Sequence, residues 1–211
     1  MSVDEASGTE VPRRGRPPSL TRDEIVEAAL KLTDESSLDE VSMRAVAGEL
    51  GVPVMTIYNY VASKEVLNEL VVDHVLHPVE VPSPETGSWD ERMRALQRAA
   101  RRAMRRHPGL SFSRHGSGSH EAARLAEGAM SILREGGFAA TQAATAFATL
   151  FTFMLGQVEL DVLADSGAGG EATFESVTTG IGLNRDQLFE TGLDAVIAGI
   201  TATMGPPTGR G

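Results

Sequence analysis

The chain has 211 residues, 41% of them hydrophobic, enough for one large core or for a small head on a larger body. It contains no cysteine, which removes disulfides, zinc–cysteine sites and thiol nucleophiles together and suits a reducing cytosol. A formal net charge of −10 argues against a broadly basic surface, yet Arg13, Arg14 and Arg16 are gathered in "PRRGRPP", and a local basic arm on an acidic body remains compatible with nucleic acid.

Residues 1–20 are rich in Pro, Gly and charge and are expected to form a flexible basic arm. They lack the basic-then-apolar order of a signal peptide, and no apolar run is read as reaching the roughly 20 residues of a membrane span, so a cytoplasmic protein with no membrane partner is expected. "TRDE" from Thr21 to Glu24 is a capping box, and the helix it opens places Ile25, Ala28, Ala29 and Leu32 on one face. Ser42 caps a second helix with Val46, Ala47 and Leu50 inward, and Gly51 ends it. Pro53 suits the first position of a short third helix.

Ser63 caps a fourth helix, "KEVLNELVVDHVLHP", with Leu67, Leu70, Val71, His74 and Val75 inward. "PVEVPSPETGS" reads as a seam between head and body, and "WDERMRALQRAARRAMRRH" as an amphipathic helix whose arginines form a solvated face. "HPGLSFSRHGSGSH" reads as a loop; it lacks the sequence of a nucleophile elbow or a phosphate loop. Two further helices follow, the second ("TQAATAFATLFTFMLGQVELDVL") apolar almost all round and expected to be buried on most sides. "DSGAGGEATFES" reads as a flexible connection, residues 185–204 as a last helix, and residues 206–211 as a disordered tail. No strand pattern occurs, so the fold class is all-α.

Helix, tight turn, short helix is the layout of a helix-turn-helix DNA reader, whose second helix lies in the major groove. That groove is about 12 Å wide, so the reading helix must carry short or slender polar groups. Thr56, Tyr58, Asn59 and Tyr60 meet the need, and both tyrosines of the chain stand here. Met55, Ile57 and Val61 divide between packing the helix down and touching base methyls.

With those residues in place, the run from Thr21 to about Leu70, including "SMRAVAGELGV" and "TIYNYVASKEVL", resembles the N-terminal domain of the tetracycline-repressor (TetR) family of bacterial transcriptional regulators. The resemblance implies a three-helix DNA-binding domain over residues 21–66. A connecting helix would lead from it into a helical ligand-binding and dimerisation domain over residues 67–205. By that resemblance Arg44, Thr56, Tyr58, Tyr60 and Lys64 would contact DNA, and Val54 and Met55 stand where the family varies and operator choice is made. The body resembles the tetracycline-repressor subgroup. There the family's magnesium-drug histidine falls near Thr152 and its acidic position near Leu160, beside Glu159, so a metal-chelated drug is not carried over.

For a pocket, the apolar candidates are Met104, Phe112, Phe147, Phe151 and Met154; the polar ones are His74, His107, Arg114 and Gln157. His74 and His77 stand one helical turn apart without a third ligand at metal spacing, so neither a metal nor another cofactor is expected. The reading is therefore a homodimeric repressor, not an enzyme, that binds a near-palindromic operator in double-stranded DNA and is released by a small apolar or amphipathic effector. The alternatives are a helical small-molecule-binding protein or enzyme with a degenerate head, and an activator on the same fold.

Overall fold

A computed structural model describes residues 20–33, 36–165 and 184–204. These residues are all-α, with no strand among them. Arg13, Arg14 and Arg16, the connection after Asp165 and the C-terminal tail lie outside the described residues.

The head forms from local signals. Helix α1 (Arg22–Thr33) opens on the expected box, with the Thr21 amide donating to Glu24 Oε2 at 2.8 Å and the Glu24 amide to Thr21 Oγ1 at 3.2 Å. In α2 (Met43–Glu49) Ser42 Oγ accepts from the Ala45 amide, and the chain then turns at Gly51, whose φ of 65° disfavours any residue with a Cβ. Helix α3 (Val54–Tyr58) begins one residue later than expected. Pro53 has φ −61° and ψ 141°, so it caps the helix from an extended conformation instead of forming its first turn. Five residues cannot hold a helix alone; Ile57 and Val61, both fully buried, pin this one to the head.

Helix α4 (Lys64–Leu76) starts at Ser63, which accepts from the Val66 amide, and buries Leu67, Val71, Val72, Val75 and Leu76. The buried stripe is rotated toward Val72 and Leu76 because α4 lies against helices of both head and body, and this rotation leaves His74 exposed, contrary to its inward assignment. The proline stretch that follows is clamped to the body: Arg124 donates to the Val79 carbonyl at 2.8 Å, and Arg92 donates twice to the Pro82 carbonyl.

The body contains α5 (Trp89–Arg105), α6 (Phe112–His115), α7 (His120–Glu135), α8 (Ala140–Asp165) and α9 (Arg185–Met204). Helix α8 packs on α5, α7 and α9 around Met93, Leu133, Leu150 and Leu193. Three sequence readings change here. The stretch after His107 is not all loop: α6 and a 3-10 turn over Gly116–Gly118 form because Leu110 and Phe112 are buried beneath them.

The α5 arginines are only in part a solvated face: Arg102 and Arg105 are exposed, but others are engaged between helices. Arg94 pairs with Asp194 at 2.9 Å, Arg98 with Glu190 at 2.6 Å, and buried Arg101 with Asp161 at 3.0 Å and Asp186 at 2.8 Å, so the row clamps α5 to α8 and α9. Finally, Ala140–Val162 is long and apolar enough to cross a membrane by length and composition, contrary to the expectation from the sequence. Only 28% of its apolar window is buried, so one face of α8 is uncovered rather than enclosed.

Candidate nucleic-acid interface and effector cavity

On α3, burial of Ile57 fixes the helix roll, and the opposite side is presented outward: Met55 is 68% exposed, Tyr58 44%, and Asn59 is exposed beside them. Thr56, Val54 and Tyr60 are half-buried at its flanks, and the Tyr60 carbonyl accepts from Arg22 Nε at 3.0 Å. Arg44, near the start of α2, is exposed. It lines one concave surface with Val54, Tyr58 and Lys64.

Lys64 is tethered inside the head, its Nζ donating to the Leu38 carbonyl at 2.6 Å, and burial pushes its ammonium below the ordinary lysine value. An ammonium has three donors, so this bond leaves capacity for a phosphate oxygen at the N-terminal end of α4. The described surface therefore offers hydroxyl, amide, guanidinium and ammonium donors around a protruding helix, the chemistry of groove and phosphate contact.

The head is tied to the body by more than α4. The Leu38 amide donates to the Gly109 carbonyl at 2.9 Å, and a Cβ on Gly109 would lie 2.2 Å from the Thr33 carbonyl oxygen, so only glycine permits this approach. Asp39 accepts from Arg114 at 2.5 Å and from His115 Nε2 at 2.9 Å. The His115 hydrogen bond, with help from Arg114, holds the Asp39 carboxyl below its ordinary value. At the far end of α4, Asp73 accepts from Ser119 Oγ and from the Glu121 amide, and His77 Nδ1 pairs with Glu121 at 3.1 Å.

A cavity of about 80 Å³ lies between α4, α5, α7 and α8. Of the expected pocket residues, Met104, Phe147, Phe151 and Met154 line it. The others do not. His74 is exposed on α4, Arg114 is engaged with Asp39, Phe112 is buried under α6, and His107 and Gln157 stand half-buried elsewhere. Sequence reasoning missed Leu76, Leu96, Gln97 and Leu125 on the cavity wall. Gln97 had a legible signal, since it stands four residues after Met93 and seven before Met104, a polar residue on an apolar stripe. Among the described residues, no group of three His, Asp or Glu side chains is arranged to hold a metal ion.

Residues 25–71 match the model of the bacterial regulatory proteins of the tetR family, and residues 81–177 that of the tetracyclin repressor-like C-terminal domain. The HTH-type transcriptional repressor DrrR1 of Streptomyces coeruleorubidus is 42% identical over 100 residues, which span 47% of this chain and 37% of that relative. An HTH-type transcriptional regulator of Saccharopolyspora erythraea is 27% identical over 207 residues, covering 89% of this chain and 87% of the relative.

Among solved structures, apo ActR from Streptomyces coelicolor superposes with a TM-score of 0.71 at 32% identity, over 89% of this chain and 97% of that one. A second ActR structure is a complex with actinorhodin. The chain belongs to the tetR family of bacterial regulatory proteins. These relatives are named as regulators of transcription and none as an enzyme.

Proposed function

We propose that the chain is a cytoplasmic, homodimeric transcriptional repressor that reads a near-palindromic operator and leaves it when a small apolar or amphipathic effector enters the body. The observation that carries this reading is the roll of α3. Its one fully buried side chain turns Met55, Tyr58 and Asn59 outward between Arg44 and Lys64. Val54, Met55, Thr56, Tyr58 and Asn59 supply the base-reading surface; Arg44, Tyr60 and Lys64, with Arg13, Arg14 and Arg16 of the arm, supply phosphate contacts. That DrrR1 is named a repressor supports the sign of regulation.

A second copy fits the uncovered face of α8. Thr141, Ala144, Thr145, Ala148, Thr149 and Thr152 are exposed there, and Ala195, Ala198 and Ala202 are exposed on α9, which packs on α8. The hydroxyls of Thr145 and Thr149 donate to carbonyls four residues earlier at 2.9 Å, so burying their methyl faces leaves no donor unmet.

Effector response follows from the size of the cavity. About 80 Å³ is well below the roughly 300–1,000 Å³ of ligand pockets, so occupation requires its walls to part. Leu76, at one end of α4, lines the cavity, while Lys64, at the other, belongs to the DNA surface. Thirteen residues make a rod of about 20 Å between them. The bonds of Asp73 and His77 to the start of α7, and of Asp39 to α6, make α4 and the head follow movement of those helices. That ActR forms a complex with actinorhodin supports a small-molecule ligand for a chain of this fold.

Selection of bound sites from random duplex DNA tests the reading. A symmetric site is expected; no enrichment at low salt would leave a degenerate head as the better reading. On the selected site, Tyr58→Phe combined with Lys64→Ala is expected to lower affinity by at least about tenfold, from one lost hydrogen bond and one lost phosphate contact.

A further inference from the structure

We propose that the cavity selects a neutral, flat apolar ligand bearing a hydroxyl, and that Gln97 is the residue that recognises the hydroxyl; this rests on reading the cavity as the effector site. Gln97 is the only polar side chain among the described residues that line it, the rest being Leu, Ala, Met and Phe. It is 8% exposed, and its Oε1 has no hydrogen-bond partner among the described residues. A buried amide oxygen without a donor is costly, and a leucine or methionine at this point of the α5 stripe would fill the same space without that cost. The cost is removed when a ligand brings the missing donor.

The remaining lining restricts which donor that is. Among the described residues no carboxylate lines the cavity to balance an ammonium and no cation to receive a carboxylate, so a charged ligand would be desolvated without a partner. A hydroxyl fits best, since it donates to Oε1 and has lone pairs for the amide hydrogens. Phe147 and Phe151 stack with ring centroids 5.8 Å apart and planes 18° apart, and with Met104 and Met154 they present flat and polarizable surfaces suited to an aromatic skeleton.

The test compares 2-naphthol with 2-methylnaphthalene, similar in shape and different in the donor, by equilibrium binding to the intact protein. The hydroxylated probe is expected to bind at least about tenfold more tightly. In Gln97→Leu that preference should fall to parity or reverse, while the ligand-free variant melts no lower than the parent protein. Gln97→Met serves as a second variant should the first fail to fold.

Equal binding of the two probes by the parent protein, a preference that survives in the variants, or binding of neither probe up to its solubility limit would overturn the proposal. Its failure is distinguishable from failure of the effector reading. Preferential binding that leaves operator affinity unchanged would remove the effector role and keep Gln97, whereas equal DNA release by both probes would do the reverse.

Discussion

Asp39 shows how one side chain joins recognition to response. It sits in the head between α1 and α2, and both of its partners, Arg114 and His115, belong to α6 of the body. Its folded carboxyl lies below the ordinary value of 3.8 because the charged form accepts those two bonds. The stability it contributes is therefore present above that value and lost as pH falls through the lowered folded value. Asp39→Asn is expected to cost little at pH 7, under about 1 kcal/mol for a part-exposed pair, and to flatten the loss of stability below about pH 4 in a urea-midpoint series. An unchanged acid slope would remove the tie. At this scale the caps were legible, because Thr21 with Glu24, Ser42 and Ser63 act within four residues of themselves. Gln97 was legible only as a polar residue on an apolar stripe, since its lack of a partner depends on four helices meeting.

Among the elements, α5 departs furthest from its sequence reading. Its periodicity sets Met93, Leu96, Ala100, Ala103 and Met104 on one face, and all of these but half-buried Ala103 are buried, but a helical wheel cannot say whether charges on the other side meet water or another helix. Arg101 and Asp161 are 60 residues apart in the chain and both buried, and the Arg101 guanidinium also lies 4.5 Å over the Phe189 ring. Among the described residues, removing Arg101 leaves buried Asp161 with only the longer contact to part-exposed Arg105 at 3.5 Å. Arg101→Met is expected to lower unfolding free energy by about 3–5 kcal/mol in chemical denaturation, and Asp161→Leu added to it to restore most of the loss. Additive losses from the two substitutions would contradict a paired clamp. Helix α3 was the opposite case: turn chemistry at Gly51 and Pro53 marked it, and only its starting residue and the outward roll of Met55 needed the structure.

For the whole molecule, the all-α architecture was legible because every long segment carries a helical period, whereas the uncovered side of α8 was not, since an all-round apolar helix looks the same whether its cover comes from its own chain or from another. A face of small residues on which the Thr145 and Thr149 hydroxyls are already bonded suits close approach by a second copy. Thr149→Arg is accordingly expected to shift the protein from dimer to monomer in sedimentation equilibrium and to weaken operator binding with it. A variant that stays dimeric would place the contact elsewhere.

Two α3 helices held by such a dimer must meet one side of a duplex. Hydroxyl-radical footprinting of the intact protein on its selected site tests this most directly. Two related patches on one face of the DNA, centred about 34–36 Å or one helical turn apart, are the expected result. A single patch, or patches on opposite faces, would contradict the pairing of α3 helices as the means of recognition.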